Sequence, residues 1–148
     1  MLKGIDPVIG PDLLAILRAM GHGDEIVLAD ANFPTEAMGR RMARADGIDA
    51  VRMTRAICQI LPLDDFVPAA AFRMSVVDHP HEIPPITTEF AAALADCGYH
   101  GPIEAIERFA FYARSREAFA IVATGEARLY GNLILKKGVI RSGPENPA

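Results

Sequence analysis

A chain of 148 residues, 51% of them hydrophobic and 23% charged, is typical of one globular domain. Its net charge of −4, with no basic cluster, argues against nucleic acid and anionic membranes as partners. Two cysteines without a CxxC pair exclude a zinc ribbon, and the lack of a signal-like apolar core or an 18-residue apolar run predicts a cytoplasmic protein.

The first half of the chain alternates between helical and extended patterns. Apolar residues between Leu13 and Met20 recur with a period of 3.6, which predicts a helix that Gly21 ends by taking a positive φ. An apolar run leads up to Asp30 and reads as a strand. The predicted elements of this half are, in order, helix 11–20, strand 25–30, helix 35–45, strand 48–51 and helix 54–61.

The second half continues the alternation and closes with two strands. A loop containing His79 and His81 could ligate a metal, although two histidines on a surface loop are the better reading. The predicted elements are, in order, strand 70–77, helix 85–95, strand 103–107, helix 109–117, strand 118–124 and strand 132–139. Residues 141–148 lack core residues, and we expect them to form a disordered tail after a domain that covers residues 1–140.

The order of these elements predicts the fold class. Alternating helices and strands are typical of an α/β domain with helices on both faces of its sheet. The last two strands have no helix between them, which indicates a mixed sheet.

Two polar residues near the first strand are candidates for chemistry. His22 lies between Gly21 and Gly23, so its imidazole has little steric cover and can give or take a proton near neutral pH. Asp30 ends the strand, where ligands of α/β sheets usually bind, although it could equally satisfy a local turn.

Two later segments add binding groups. Arg108 is followed by Phe109, Phe111 and Tyr112, which could form a wall against a sugar or belong to the core. The tripeptide 130–132, Tyr130-Gly131-Asn132, offers a phenol, an open backbone and an amide, or simply a turn.

These segments together resemble the L-fucose mutarotase family, which is related to the D-ribose pyranase proteins. The resemblance lies in MGHGDEIVLADANFP, RFAFYARSREAFAIVATGE and YGNLILKKGV, and it runs from residue 1 to about residue 140. It is weakest between residues 78 and 102. Asn32 stands where a histidine is frequent in the family, and Arg108 stands where the ribose branch has a histidine.

The resemblance implies a role for each candidate. The proton-donating histidine of the family matches His22, and its sugar-contacting residues match Asp30, Arg108 and the tripeptide 130–132. It also implies a helix-flanked mixed sheet and ring-like homo-oligomers, commonly decamers, with the sugar near a subunit boundary. The expected partner is a free monosaccharide, most simply L-fucose.

Mutarotation needs a proton at the ring oxygen and a base at the anomeric hydroxyl, so no cofactor or metal is expected. We expect His22 to be the acid and Tyr130 the opposite group, while Asp30 orients His22 or holds a hydroxyl. Arg108 and Asn132 would fix the ring. The alternatives are a ribose pyranose–furanose isomerase and a sugar-binding module without catalysis.

Overall fold

The structure is a computed structural model that describes residues 1–141, so the predicted disordered tail lies outside the described residues except for Arg141. The helices are α1 (Pro11–Ala19), α2 (Thr35–Met38), α3 (Ala50–Cys58), α4 (Pro85–Asp96) and α5 (Arg108–Glu117). The strands are β1 (Glu25–Ala29), β2 (Met42–Ala45), β3 (Ala71–Met74), β4 (Ile103–Ile106), β5 (Ala120–Thr124) and β6 (Leu133–Lys136). Within the described residues, no helix is long and apolar enough to cross a bilayer.

The six strands form one mixed sheet in the order β2-β5-β1-β6-β3-β4. Strand β6 runs antiparallel to both of its neighbours, whereas the other neighbouring pairs are parallel. The last residues of β1 to β5 and the first residue of β6 therefore share one edge of the sheet, which we call the carboxyl edge. The start of β1 and the end of β6 lie at the opposite edge, the amino edge.

Helices cover both faces of the sheet, as the alternation of elements predicted. Ile26 and Leu28 of β1 face a core formed with α1, α3 and α4. Val27 and Ala29 face the second core, which contains Phe111 of α5 and is flanked by α2. Period-two alternation along a strand buried on both faces produces this arrangement.

Two predicted elements in the first half are wrong. The helix predicted over 35–45 ends at Met38, and residues 42–45 form β2 instead, because they pair with β5. Most residues of this stretch are good helix formers, but Gly39 interrupts the helix and the tertiary pairing with β5 overrides the local propensity. The predicted strand 48–51 is also absent, since Asp49 caps α3 by accepting a hydrogen bond from the backbone N–H of Arg52.

The end of α1 also differs in detail. The helix ends at Ala19 and is followed by Met20 in an extended conformation, so Gly21 does not end it with a positive φ. Within the turn 21–24, the glycine with a positive φ is Gly23, at 84°. The remaining predicted elements are present, with ends displaced by a few residues.

Candidate functional site

Asp30 and Asn132 form a reciprocal pair at the carboxyl edge. Asp30 follows β1 and Asn132 precedes β6, and these strands are neighbours. The side chain of Asn132 accepts from the backbone N–H of Asp30 at 2.8 Å and donates to its carboxylate at 2.8 Å. Both residues are buried. Two bonds in opposite directions fix both side chains without using all of the acceptor capacity of the carboxylate.

Burial raises the pKa of Asp30 above its usual value of 3.8. The negative charge of Glu126 adds to this rise, whereas hydrogen bonds from Asn32, Asn132 and Phe33 oppose it. A carboxylate poorly solvated in this way binds a hydroxyl donor more strongly than an exposed one does.

Glu126 is hydrogen-bonded to the backbone next to Asp30. Its backbone carbonyl accepts from the N–H of Ala31 at 2.8 Å, and its buried carboxylate accepts three bonds from Arg128. Arg128 also bonds Glu89 of α4. A Cβ atom at Gly131 would lie 2.5 Å from Cγ of Glu126, so only glycine fits there. The sequence rule that singled out Asp30, a polar residue just after a buried strand, would also have found Glu126.

Tyr130 adopts a strained backbone conformation beside this network. Its φ is 60°, in a region that non-glycine residues rarely occupy. Its hydroxyl accepts a hydrogen bond from the N–H of Val77, which follows β3, at 3.2 Å. Strain of this kind costs about 1–3 kcal/mol and is concentrated at functional sites.

Arg108, the first residue of α5, carries an unused donor at the same edge. Its guanidinium lies 4.7 Å from the ring centre of Phe109. Among the described residues, its Nε is buried without a hydrogen-bond partner. Because a buried N–H without a partner is costly, a ligand oxygen would satisfy this atom.

The aromatic residues after Arg108 divide between site and core. Phe111 is fully buried and belongs to the core, so it is not available to a ligand. Tyr112 is half-buried and lies 5.6 Å from the ring of Phe33, which follows Asp30. Phe109 is exposed. A cleft of about 480 Å³ opens beside Asp30 and Phe33.

His22 lies at the amino edge, away from the other candidates. It occupies a turn before β1 and its side chain is 46% exposed. Nε2 lies 3.2 Å from Oδ1 of Asp64, and the ring lies 5.5 Å from that of Phe66. The carboxylate beside His22 within one chain is therefore that of Asp64, and the expectation that Asp30 orients it does not hold there.

No local sequence pattern indicates that Asp64 lies beside His22. It lies 42 residues from His22 in a proline-containing loop, and nothing local distinguishes it from Asp65. A second cleft, of about 600 Å³, opens beside Asp64. His79 and His81 lie exposed in a turn, and the described residues contain no cluster of three or more metal-ligating side chains.

One chain thus places Asp30, Arg108 and the tripeptide 130–132 along the same carboxyl edge, where Asp30 and Asn132 are in direct contact, and places His22 at the other edge. The five residues of β1 separate the two edges. At about 3.3 Å per residue, that length is roughly 16 Å, far beyond the reach of a hydrogen bond.

Comparison with known proteins gives consistent matches. A model of the RbsD / FucU transport protein family matches residues 3–140. A fucose mutarotase of Mus musculus is 46% identical, with 97% of each chain covered. An L-fucose mutarotase of Actinobacillus pleuropneumoniae is 43% identical, covering 94% of this chain and 97% of the relative.

Solved structures agree with the fold. The fucose mutarotase of Streptococcus pneumoniae, solved in complex with L-fucose, superposes with a TM-score of 0.88 at 43% identity and covers 95% of this chain and 100% of that one. RbsD of Bacillus subtilis, solved with D-ribose, superposes with a TM-score of 0.70 at 22% identity, with coverage of 95% and 100%, and shares the fold.

Proposed function

The chain belongs to the RbsD/FucU family, and from this premise we propose that it is an L-fucose mutarotase, an isomerase that interconverts the α and β anomers of the free sugar. The observation that carries the proposal is the similarity to fucose mutarotases at 42–47% identity over nearly the full length of both chains. The polar groups at the carboxyl edge are of the kind that bind sugar hydroxyls.

The carboxyl edge supplies the groups that would hold the sugar. Asp30 has acceptor capacity left after its bonds to Asn32 and Asn132, and Arg108 has a free buried donor. Half-buried Tyr112, which packs against buried Phe33, offers aromatic surface for the apolar face of a deoxysugar. This mixture of fixed acceptors, one charged donor and an aromatic wall suits a neutral monosaccharide.

Ring opening requires proton transfer at two positions. A proton must reach the ring oxygen while another leaves the anomeric hydroxyl, and the closing step reverses both transfers. We assign His22 to the ring oxygen and Tyr130 to the hydroxyl. General acid–base help of this kind is worth about 10²–10⁴-fold, enough for a reaction that also proceeds in water.

The site requires a second copy of the chain. Because His22 and Asp30 lie at opposite edges, a neighbouring copy must bring its His22 to the carboxyl edge. Exposed apolar residues lie at both edges, with Phe66 and Ile140 at the amino edge and Phe109 and Leu129 at the carboxyl edge. Contact between two different surfaces is heterologous and closes into a ring when the rotation allows.

A homo-oligomer is therefore part of the proposal, and a decamer is one ring-based assembly that fits it. A cytoplasmic location is the other part. It is supported by Cys58 and Cys97, which remain free thiols.

The test is anomer exchange measured by saturation-transfer NMR on L-fucose, D-ribose and other free sugars. The wild-type chain should accelerate α–β exchange of L-fucose, and His22→Ala and Arg108→Ala should each remove most of that acceleration. His79→Ala is the matched control, since His79 is an exposed histidine in a turn.

Three results would contradict the proposal in different ways. Unchanged exchange in His22→Ala would remove His22 from the mechanism. Faster pyranose–furanose exchange of ribose than anomer exchange of fucose would identify a pyranase. Sugar binding without exchange above the rate in buffer would identify a binding module.

A further inference from the structure

We propose that Asp64 is a positioning residue that keeps hydrogen on Nε2 of His22 in both of its protonation states. Nδ1 is then the nitrogen that gives its proton to the ring oxygen when His22 is an imidazolium, and that takes the proton back when the ring is neutral. The inference rests on the proposed function for its consequence in catalysis, but the tautomer itself can be measured without any sugar.

The contact between Asp64 and His22 joins a buried carboxylate to one nitrogen of an exposed ring. Oδ1 of Asp64 lies 3.2 Å from Nε2 of His22, and the side chain of Asp64 is only 3% exposed whereas that of His22 is 46% exposed. The same Oδ1 accepts from the backbone N–H of Phe66 at 3.1 Å. A buried carboxylate thus holds Nε2 of an accessible ring, and within residues 1–141 Nδ1 has no hydrogen-bond partner.

The charge of Asp64 determines which nitrogen carries hydrogen. Burial is the largest influence on its pKa and raises it, but the N–H of Phe66, the bond to His22 and the charges of His22 and Lys136 together lower the pKa below 3.8. The group is therefore a carboxylate at neutral pH, and a carboxylate only accepts hydrogen bonds. The tautomer with hydrogen on Nδ1 would place the lone pair of Nε2 against a negative oxygen.

The backbone around this pair is held by short hydrogen bonds. The N–H of Gly23 donates to the carbonyl of Lys137 at 2.8 Å, and the N–H of Lys137 donates to the backbone carbonyl of Asp24 at 2.8 Å. The backbone N–H of Asp64 donates to the backbone carbonyl of Lys136 at 3.0 Å. The turn with His22, the loop with Asp64 and the end of β6 therefore form one unit, which limits how far the imidazole can move from its partner.

The other charged groups nearby have other partners. Asp24 accepts from the backbone N–H of Gly21 at 2.7 Å, and Asp65 pairs with Arg141. Of the acidic side chains in residues 1–141, Asp64 is the one that forms a hydrogen bond with His22. An orienting carboxylate on the far nitrogen of a histidine is a recurring way to fix the ring and its tautomer.

The test is nitrogen NMR of protein with ¹⁵N-labelled histidine, at a pH where imidazole is neutral and without sugar. His22 is assigned among the four histidines by comparison with His22→Ala. We expect the wild type to show one tautomer with hydrogen on Nε2, and Asp64→Asn to show a mixture. Asp65→Asn, at the neighbouring exposed aspartate, should leave the wild-type spectrum unchanged.

Kinetics then link the tautomer to the reaction. Asp64→Asn should lower kcat for L-fucose exchange by at least about tenfold, with KM changed little, because the hydroxyl-binding groups lie at the other edge. Asp64→Glu keeps a carboxylate and should restore part of the loss, whereas Asp65→Asn should match the wild type.

The outcomes separate this inference from the proposed function. A wild-type spectrum with hydrogen on Nδ1 of His22, or with a mixture, overturns the role of Asp64 even if the enzyme exchanges fucose normally, and it does not depend on the folding of any Asp64 variant. An unchanged tautomer in Asp64→Asn does the same. A single Nε2–H tautomer in a chain with no exchange activity overturns the proposed function and leaves the positioning intact.

Discussion

Two inactive variants should restore activity when they assemble together. If each site takes His22 from one copy and Arg108 from the next, then His22→Ala and Arg108→Ala damage different contributions to the same site. A mixed oligomer contains some sites in which the His22 donor and the Arg108 donor are both intact. We expect both residues to tolerate truncation, since His22 is exposed and Arg108 is half-buried, with no hydrogen bond through Nε among the described residues.

The fraction of exchange activity that is recovered follows from the separation of the two edges and from random mixing of the two variants. Within one chain the two edges lie roughly 16 Å apart along β1, so one copy cannot complete its own site. In an oligomer assembled at random from equal amounts, each contribution is intact half of the time. About one quarter of the sites should then be complete, giving about one quarter of wild-type exchange.

The assay is fucose exchange by NMR on co-expressed, unselected mixtures, with each variant alone as background. Co-expression of Arg108→Ala with Tyr130→Phe is the control, because both changes affect the carboxyl edge and no complete site can form. Recovery no greater than the sum of the two backgrounds would refute the shared site.

Three further results are expected. Gly131→Ala should lose about 1–3 kcal/mol of unfolding free energy in urea, because its Cβ would press on Glu126, whereas Gly47→Ala, with open space around it, should not. Tyr130→Phe should slow fucose exchange about 10²-fold while unfolding free energy changes by less than about 0.5 kcal/mol. Burial raises the pKa of Asp30 in the folded chain, so its ionisation costs stability. Relative to Asp30→Asn, the wild type should be most stable below pH 3.8 and should lose stability as the pH rises through the raised pKa. Urea unfolding at successive pH values measures this difference. Equal effects at the two glycines, normal exchange in Tyr130→Phe, or a pH-independent difference for Asp30 would contradict the corresponding argument.

Local patterns were enough to predict most elements. The strand that ends before Asp30 is a short apolar run with a polar stop, and α4 begins at Pro85 and ends before Gly98, which has a positive φ. Such signals lie within a few residues of the element that they define. The mixed sheet also followed from the chain order, because the last strand arrives without a crossover helix.

Strand β2 was predicted as helix because its reason for being a strand is remote. Met42 pairs with Ile121, and Ala45 pairs with Thr124, about eighty residues later. The pairing of His22 with Asp64 is equally remote, at 42 residues. Neither the strand nor the dyad has a local pattern, so no reading of neighbouring residues would have found them.

For the candidate site, the sequence was enough to name the residues but not to predict how they are arranged in space. His22 and Asp30 are eight positions apart, which suggested direct contact, yet the strand between them is extended and places them at opposite edges. Because an extended strand is the longest path that a few residues can span, His22 and Asp30 lie far apart although they are close in sequence. A site that uses both residues must therefore be built between copies, and a surface that exposes Phe66 beside the imidazole and Phe109 beside Arg108 is what such an assembly would cover. Association would then deliver the proton carrier and bury the apolar edges in one step, which couples catalysis to assembly in a way that the single chain does not.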